Sequence, residues 1–160
     1  MIGFAQVYTS IGKITIVSDG TDILEVLLPG SDLSRLPCEE ADFPVLEKAK
    51  TQMKEYFEGR RTEFDLPFKS EGTPFQMRVW EALKLIPYGS SLSYSEIAEK
   101  AGSPKAVRAV GQANKNNKLP IIVPCHRVIG KNKSLTGYAG SKTDLKAALL
   151  ELEKTEYKKA

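Results

Sequence analysis

Helix starts and stops follow one another closely after residue 70, and this spacing constrains the fold more than any other feature of the sequence. The segment TPFQ (73–76) is a capping box with proline at the first helical position, and SYSE (93–96) is a second capping box. The helix that starts at the second box is predicted to cover 94–100 and to break at Ala101-Gly102. Short helices joined by a glycine-containing turn predict a helix-turn-helix.

The third helix of this region is predicted to open at Ser103 and Pro104 and to run to about Asn116. One narrow face of it carries small residues beside basic ones. Small residues allow the backbone to approach another surface closely, which can be a neighbouring helix or a nucleic acid, and the sequence leaves both alternatives open. The small residues are Ala109, Gly111 and Ala113, and the basic residues are Lys105, Arg108 and Lys115.

The charge of the chain changes sign along its length. Residues 1–70 hold 8 Lys and Arg against 12 Asp and Glu, a net charge of −4, whereas residues 71–160 hold 15 against 8, a net charge of +7. The change coincides with an irregular segment, 60–72, so we place a boundary there between two domains, 1–70 and 71–160. The second domain would attract a polyanion, although a solvated basic face has the same composition.

The first domain is predicted to be a small sheet with one helix. Alternating apolar residues and turn signals predict strands over 2–8, 13–17 and 23–28. Asp42 is predicted to cap a helix that ends at Gly59. Together with the helical second domain, this pattern indicates the α/β (α+β) class.

Composition and cysteine content exclude several classes of protein. Hydrophobic residues make up 41% of the chain, which is enough for a core, and no apolar run is long enough to span a bilayer or to form a signal peptide. With Cys38, Cys125 and one histidine available, a structural zinc site and a structural disulfide are both unexpected. We therefore expect a cytoplasmic protein without a metal or a cofactor.

Cys125 follows a compact apolar run, 119–123, that Pro120 and Pro124 bracket. The prolines predict an extended, rigid segment that holds the cysteine in a fixed place. The thiolate is the nucleophilic form of cysteine, and the adjacent His126 is a candidate for lowering the pKa of the thiol. A cysteine beside a histidine is, by itself, also compatible with a structural role.

The surroundings of this pair decide between the two interpretations. The segment IIVPCHRVIG (121–130) resembles the active-site signature of the O6-alkylguanine-DNA alkyltransferases. The resemblance covers most of residues 73–153 and includes further segments in the same order. These are TPFQ at Thr73, VW at Val79, IPYG at Ile86, SYSEIA at Ser93, RAVGQA at Arg108, GYAG at Gly137 and LLELE at Leu149.

The resemblance implies a suicide repair protein that transfers an alkyl group from O6 of guanine in DNA to Cys125 and keeps it there. It implies that His126 is the general base, acting through a water, and that Glu153 holds His126 in the reactive tautomer. Tyr94 would donate to the base as the alkyl group leaves. Asn117 would brace the turn before the cysteine, with an ordinary helix C-cap as the alternative. The first domain would be ribonuclease H-like and the second winged-helix-like.

The same resemblance implies how DNA is bound. A guanine inside a duplex must be flipped out before its O6 can be attacked, and Arg108 would fill the vacated place while the third helix enters the minor groove. The expected partner is double-stranded DNA with a flipped O6-alkylguanine, bound by a nucleoid-associated monomer. The pocket would consist of the Cys125 and Val128 carbonyls, the Ala139 N–H, and Tyr138 and Pro120 as walls.

Other classes of protein share part of this pattern. A regulator, or a lesion-binding protein without transfer, would use the helix-turn-helix without chemistry, which leaves PCHRV (124–128) and Glu153 unexplained. A cysteine hydrolase would use the Cys-His pair, but such enzymes generally recruit a histidine distant in the sequence, and this chain has one histidine. The chain departs from the family at Lys118, where proline is usual, and at Ser141, where glycine is frequent.

Overall fold

The computed structural model describes residues 1–34, 36, 39–135 and 143–158, without the side chain of Thr143. The chain forms two compact units, Met1–Ser70 and Glu71–Ala160. The expected α/β (α+β) class is confirmed, because the first unit is a sheet with a helix and the second is mostly helical. None of the helices in the described part is both long and apolar enough to cross a membrane.

The first unit is built on a four-stranded sheet with the order β3-β2-β1-β4. The first three strands form an antiparallel meander, and the short β4 pairs parallel with β1. Apolar side chains on alternate positions turn towards the core, where Ile14 and Ile16 are fully buried. The strands are β1 (Gly3–Thr9), β2 (Gly12–Ser18), β3 (Ile23–Leu27) and β4 (Glu39–Glu40).

Helix α1 (Pro44–Phe57) packs against β1 and β2. Its start differs from the prediction, because the N-cap is Phe43, which makes no side-chain cap bond, and not Asp42. Pro44 at the first helical position has a fixed φ and no N–H that needs a partner, so the helix can start without a side-chain cap. Gly59, with a φ of 76°, follows the end of the helix as predicted.

Two helices of the second unit start at capping boxes, and both boxes were predicted. The boxes start α2 (Pro74–Lys84) and α3 (Tyr94–Lys100). The bounds of α3 agree with the prediction. In each box the hydroxyl of the N-cap residue, Thr73 or Ser93, accepts the N–H three residues later at 3.1 Å. The signal is local in sequence, which is why it locates these helix starts accurately.

Helix α4 (Val107–Lys115) starts later than predicted. Ser103 and Pro104 belong to a separate turn, which the Ala106 N–H closes by donating to the Ser103 carbonyl at 2.9 Å. The N-cap residue of α4, Ala106, makes no side-chain cap bond, and the helix packs against α2 and α3. Its position is therefore set by tertiary contacts, among them the buried 2.9 Å hydrogen bond from the Trp80 indole of α2 to the Ala113 carbonyl.

A small parallel sheet joins the middle of the second unit to its C-terminal part. Strand β5 (Leu92–Ser93) immediately precedes α3, and it pairs with β6 (Val128–Ile129). A short 3-10 helix, Cys125–Arg127, immediately precedes β6. The pairing therefore joins the segment that carries the cysteine to the start of α3. Helix α5 (Thr143–Leu152) packs against the 3-10 helix.

Candidate active site

The segment before the cysteine is a closed turn, so the extended conformation predicted for residues 119–123 is wrong. The Val123 N–H donates to the Leu119 carbonyl at 2.8 Å. An extended strand would need a neighbouring strand to bond its main chain, whereas here the side chain of Asn117 supplies those hydrogen bonds. Its Nδ2 donates to the Val123 carbonyl at 2.8 Å, and its Oδ1 accepts from the Leu119 N–H at 3.0 Å. The C-cap of α4 is Asn116, so the C-cap alternative for Asn117 is wrong.

Ile121, inside this turn, has a strained backbone. Its φ is 75°, and only 2% of the residue is exposed. The left-handed region is unfavourable for a β-branched residue and costs roughly 1–3 kcal/mol. Such a conformation persists only where the surrounding contacts fix it, so the turn is a rigid support for the residues that follow.

Cys125 is held by main-chain bonds on both sides. Pro124, with φ −78° and ψ 67°, forms an inverse γ-turn, in which the Cys125 N–H donates to the Val123 carbonyl at 2.7 Å. On the other side, the Cys125 carbonyl accepts the N–H of Val128. The cysteine is 2% exposed, so its position is fixed by the backbone and by the packing around it.

His126, Glu153 and Arg127 form a buried relay beside this cysteine. His126 Nε2 lies 2.7 Å from Glu153 Oε2, and Arg127 donates to the same carboxylate through Nε at 2.8 Å and Nη2 at 3.0 Å. Arg127 Nη1 also donates to the Ile86 carbonyl at 2.6 Å. Since a carboxylate accepts hydrogen bonds, Nε2 of a neutral His126 carries the hydrogen, and Nδ1 is the basic atom. Arg127 was not among the predicted site residues.

The electrostatics keep His126 neutral near neutral pH. Complete burial lowers the pKa of His126, because the charged imidazolium loses its hydration. The hydrogen bond to Glu153 and its negative charge act in the opposite direction, while the positive charges of Arg127 and Lys146 add to the lowering. A neutral imidazole can accept a proton, which is what a general base for the thiol requires.

Lys146 is a buried cation that the sequence analysis did not identify. Its side chain lies on α5 with no exposed surface, and Nζ is 3.5 Å from the Tyr94 hydroxyl and 5.7 Å from the centre of its ring. Burial lowers the pKa of Lys146 to about 8, against the attraction of Cys125. The sequence contains a signal for this burial. Lys146 lies three residues before Leu149 and four before Leu150, which are both buried, so it is on the apolar face of the helix.

Asn114 links α4 to the cysteine. It is 2% exposed, and its Nδ2 donates to the Cys125 carbonyl at 3.3 Å. Its Oδ1 is buried and accepts no hydrogen bond from the part of the chain that the structure describes. An unsatisfied buried acceptor costs about 1–3 kcal/mol, whereas one hydrogen bond contributes only about 0.5–1.5 kcal/mol, so this amide does not stabilise the fold.

The exposed face of α4 carries most of the predicted DNA-contacting residues. Gly111 is partly exposed, and a Cβ built on it meets no atom within 4 Å, so the backbone is accessible there. Ala113 is 2% exposed and faces the interior beside Trp80, so its assignment to the DNA-facing surface is wrong. The exposed residues of the predicted set are Lys105, Arg108, Ala109 and Lys115.

Not all predicted pocket residues lie in the described part of the chain. Val128 and Pro120 are buried next to the cysteine-bearing segment, in β6 and in the preceding turn. Four residues that the sequence analysis singled out lie outside the described residues, namely Cys38, Tyr138, Ala139 and Ser141.

Two family models match the chain, one for each unit. The model of the 6-O-methylguanine DNA methyltransferase ribonuclease-like domain matches residues 5–70. The model of the 6-O-methylguanine DNA methyltransferase DNA binding domain matches residues 74–155. The second match includes the relay and helix α4.

Similar proteins carry related names. The constitutive methylated-DNA--protein-cysteine methyltransferase of Bacillus subtilis is 63% identical over 120 residues, which is 75% of this chain and 73% of the relative. The crystal structure of Mycobacterium tuberculosis O6-methylguanine methyltransferase has a TM-score of 0.87 and 44% identity over 96% of this chain and 93% of the other. The crystal structure of Mycobacterium tuberculosis OGT in complex with DNA has a TM-score of 0.86 and 42% identity, and the match covers 95% of this chain and 92% of the other.

Proposed function

This chain belongs to the 6-O-methylguanine DNA methyltransferase family, and from that membership we propose that it repairs DNA by direct transfer of an alkyl group from O6 of guanine to Cys125. The observation that carries the proposal is the buried relay of Arg127, Glu153 and His126 next to this cysteine. Burying three ionisable side chains costs desolvation free energy. DNA binding by a helix-turn-helix alone leaves that arrangement unexplained.

The proposed reaction is a displacement at the alkyl carbon. The sulfur of Cys125 forms a bond to that carbon while the bond from the carbon to O6 breaks, and the electron pair of the broken bond stays on guanine. His126 accepts the thiol proton, through a water, and guanine takes one proton from its donor, Tyr94. Tyr94 regains a proton from solvent and His126 releases one to it, so the net change is the transfer of one proton from the thiol to guanine, and atoms and charge balance. The thioether has no step that releases the alkyl group, so each molecule reacts once.

Tyr94 is proposed to donate to the base as the alkyl group leaves. Its position as the first residue of α3, directly after the strand that pairs with β6, supports this role. The ammonium group of Lys146, 3.5 Å from the hydroxyl, makes the phenol a better donor and also attracts the thiolate of Cys125. Neither role needs a cofactor.

The base is proposed to enter a pocket formed by two main-chain carbonyls and by side-chain walls. The carbonyls of Cys125 and Val128 would accept from the exocyclic amine of guanine, and the fixed main chain around Cys125 supports this assignment. Pro120 would form one wall, and the turn braced by Asn117 would hold it. Tyr138, as the second wall, and the Ala139 N–H, as donor to the guanine oxygen, complete the proposed pocket.

Double-stranded DNA is the proposed partner, bound by a monomer with α4 in the minor groove. The exposed Arg108 and Ala109 and the accessible backbone at Gly111 support a close approach of this face to DNA. Arg108 would occupy the space that the flipped guanine vacates. Lys105 and Lys115 would contact phosphates and release counterions.

The decisive test is to incubate the protein with a duplex that carries O6-methylguanine and to map the product by peptide mass spectrometry. We expect one methyl group on the peptide that contains Cys125 and no second transfer with excess DNA. Cys125→Ala should bind the same duplex without transfer, and Arg108→Ala should bind it more weakly while the thiol stays reactive towards iodoacetamide. Repeated turnover, or label on Cys38, would contradict the proposal.

A further inference from the structure

Asn114 lies where the proposed DNA-binding helix meets the proposed alkyl acceptor. It is the second-last residue of α4, it is 2% exposed, and its amide nitrogen donates to the main-chain carbonyl of Cys125 at 3.3 Å. Neither the relay nor the pocket described above uses this side chain. The contact is therefore an additional link between the helix and the cysteine.

The segment from Val123 to Cys125 is bonded to asparagine side chains at both of its ends. The Val123 carbonyl accepts from Asn117 Nδ2 at 2.8 Å, and the Cys125 carbonyl accepts from Asn114 Nδ2 at 3.3 Å. Pro124, between them, has no N–H and contributes no donor of its own. Asn114 lies in the last turn of α4 and Asn117 lies two residues beyond the helix, so a displacement of this helix end acts on both carbonyls together.

Two groups of the protein donate to the Cys125 carbonyl. They are the Val128 N–H and, at 3.3 Å, the Asn114 amide. The plane of the peptide between Cys125 and His126 is therefore fixed from both sides. Because this peptide follows the Cα that carries the thiol, its orientation helps to fix the direction of the Cα–Cβ bond from which the sulfur projects.

Folding stability does not explain why an amide occupies this position. Its single hydrogen bond is offset by a buried Oδ1 that has no donor within the described residues. Leucine has nearly the same size and shape, would fill the same space, and would bury no unsatisfied acceptor. What leucine lacks is the donor to the Cys125 carbonyl.

We propose that Asn114 is a positioning residue for alkyl transfer, which fixes the Cys125 main chain from the DNA-binding helix so that the sulfur is aligned when α4 is seated on DNA. The inference rests on the proposed function. It adds to that function a physical connection between DNA binding and the acceptor. Asn114 touches neither the thiol proton nor the base in this role.

The test separates DNA affinity from the transfer step. Single-turnover transfer is measured over a series of concentrations of a duplex with O6-methylguanine, which gives an apparent dissociation constant and a limiting rate. For Asn114→Leu we expect the limiting rate to fall by about tenfold or more, because small misalignments of reacting atoms slow such steps strongly. The dissociation constant should change less than about twofold, since the exposed face of α4 is intact.

Two further variants control for packing and for polarity. Asn116→Leu makes the same chemical change at the exposed C-cap of α4 and should leave both constants unchanged. Asn114→Asp keeps the size of the side chain, and once ionised its carboxylate has no donor for the Cys125 carbonyl, so its limiting rate at alkaline pH should fall at least as far as that of Asn114→Leu. Thermal melting of each variant, before DNA is added, identifies any that fail to fold.

The outcomes distinguish this inference from the proposed function. If the wild-type protein transfers no methyl group, the proposed function fails. If the wild type transfers and either Asn114 variant, shown to be folded, keeps the wild-type limiting rate, the positioning role is overturned. A fall in affinity with an unchanged limiting rate also overturns it, because Asn114 would then act only on DNA binding.

Discussion

The buried charges of the second unit are compensated in different ways. Arg127 and Glu153 neutralise each other through two hydrogen bonds, at 2.8 Å and 3.0 Å. At Lys146 the loss of hydration dominates, and the pKa falls to about 8 from an ordinary value of 10.5. A cation in such a place opposes folding, and this cost supports the role proposed above for Lys146 in the transfer.

Lys146→Met should stabilise the protein and slow the transfer. In the wild type the pKa of Lys146 is lower in the folded state than in the unfolded chain, so the charged form opposes folding by roughly 1–3 kcal/mol at neutral pH. This penalty is complete below about pH 8 and disappears as the pH rises to about 10.5. Urea denaturation should therefore show a more stable variant at pH 7 and a smaller difference at pH 10. If Lys146→Met and the wild type were equally stable at pH 7 and at pH 10, the effect of burial on Lys146 would be contradicted.

Glu153→Gln should lower both stability and transfer. Removing one partner of a buried ion pair leaves an uncompensated charge on Arg127, which costs about 3–5 kcal/mol. Adding Arg127→Met should restore most of the stability, because the remaining charge is gone, but transfer should stay slow because His126 has lost its carboxylate. Denaturation curves and single-turnover rates of the two single variants and the double variant check this. A double variant with full transfer would remove Glu153 from the mechanism.

At the level of elements, local signals predicted more than long-range ones could. The capping boxes at Thr73 and Ser93 need only residues three apart, so the starts of α2 and α3 were predicted correctly. The start of α4 depends on packing, which no local pattern contains. The turn at 119–123 depends on the side chain of Asn117, whose bracing role was implied by the resemblance alone. For the site, the resemblance supplied Cys125, His126 and Glu153, whereas Arg127 and Asn114 became evident only from contacts.

The two capping boxes offer a matched pair of variants. Ser93→Ala and Thr73→Ala each remove an N-cap and should each lower stability by about 1 kcal/mol. Only the first frays the turn that begins with Tyr94, so Ser93→Ala should also slow transfer, whereas Thr73→Ala should not. Melting curves and single-turnover rates test the difference. Equal transfer rates in the two variants would separate Tyr94 from the reaction.

At the scale of the whole molecule, charge is divided between the units, with −4 on residues 1–70 and +7 on residues 71–160. DNA binding should therefore weaken as salt is added, because phosphate contacts release counterions. Lys105→Ala and Lys115→Ala should each reduce the slope of log affinity against log salt by about 0.9. Lys48→Ala, in the acidic unit, is the control and should leave the slope unchanged. A slope unaffected by Lys105→Ala and Lys115→Ala would place the phosphate contacts elsewhere.

The last helix also limits how this protein can diverge. Lys146 and Glu153 are seven residues apart on α5 and its C-terminal end, close to two full helical turns, so both side chains point to the same side. One inserted residue between them would rotate one of the two by about 100° and take it out of the interior. We therefore expect exposed positions of α5 to tolerate substitution, while an insertion or deletion between these two charges should not be tolerated.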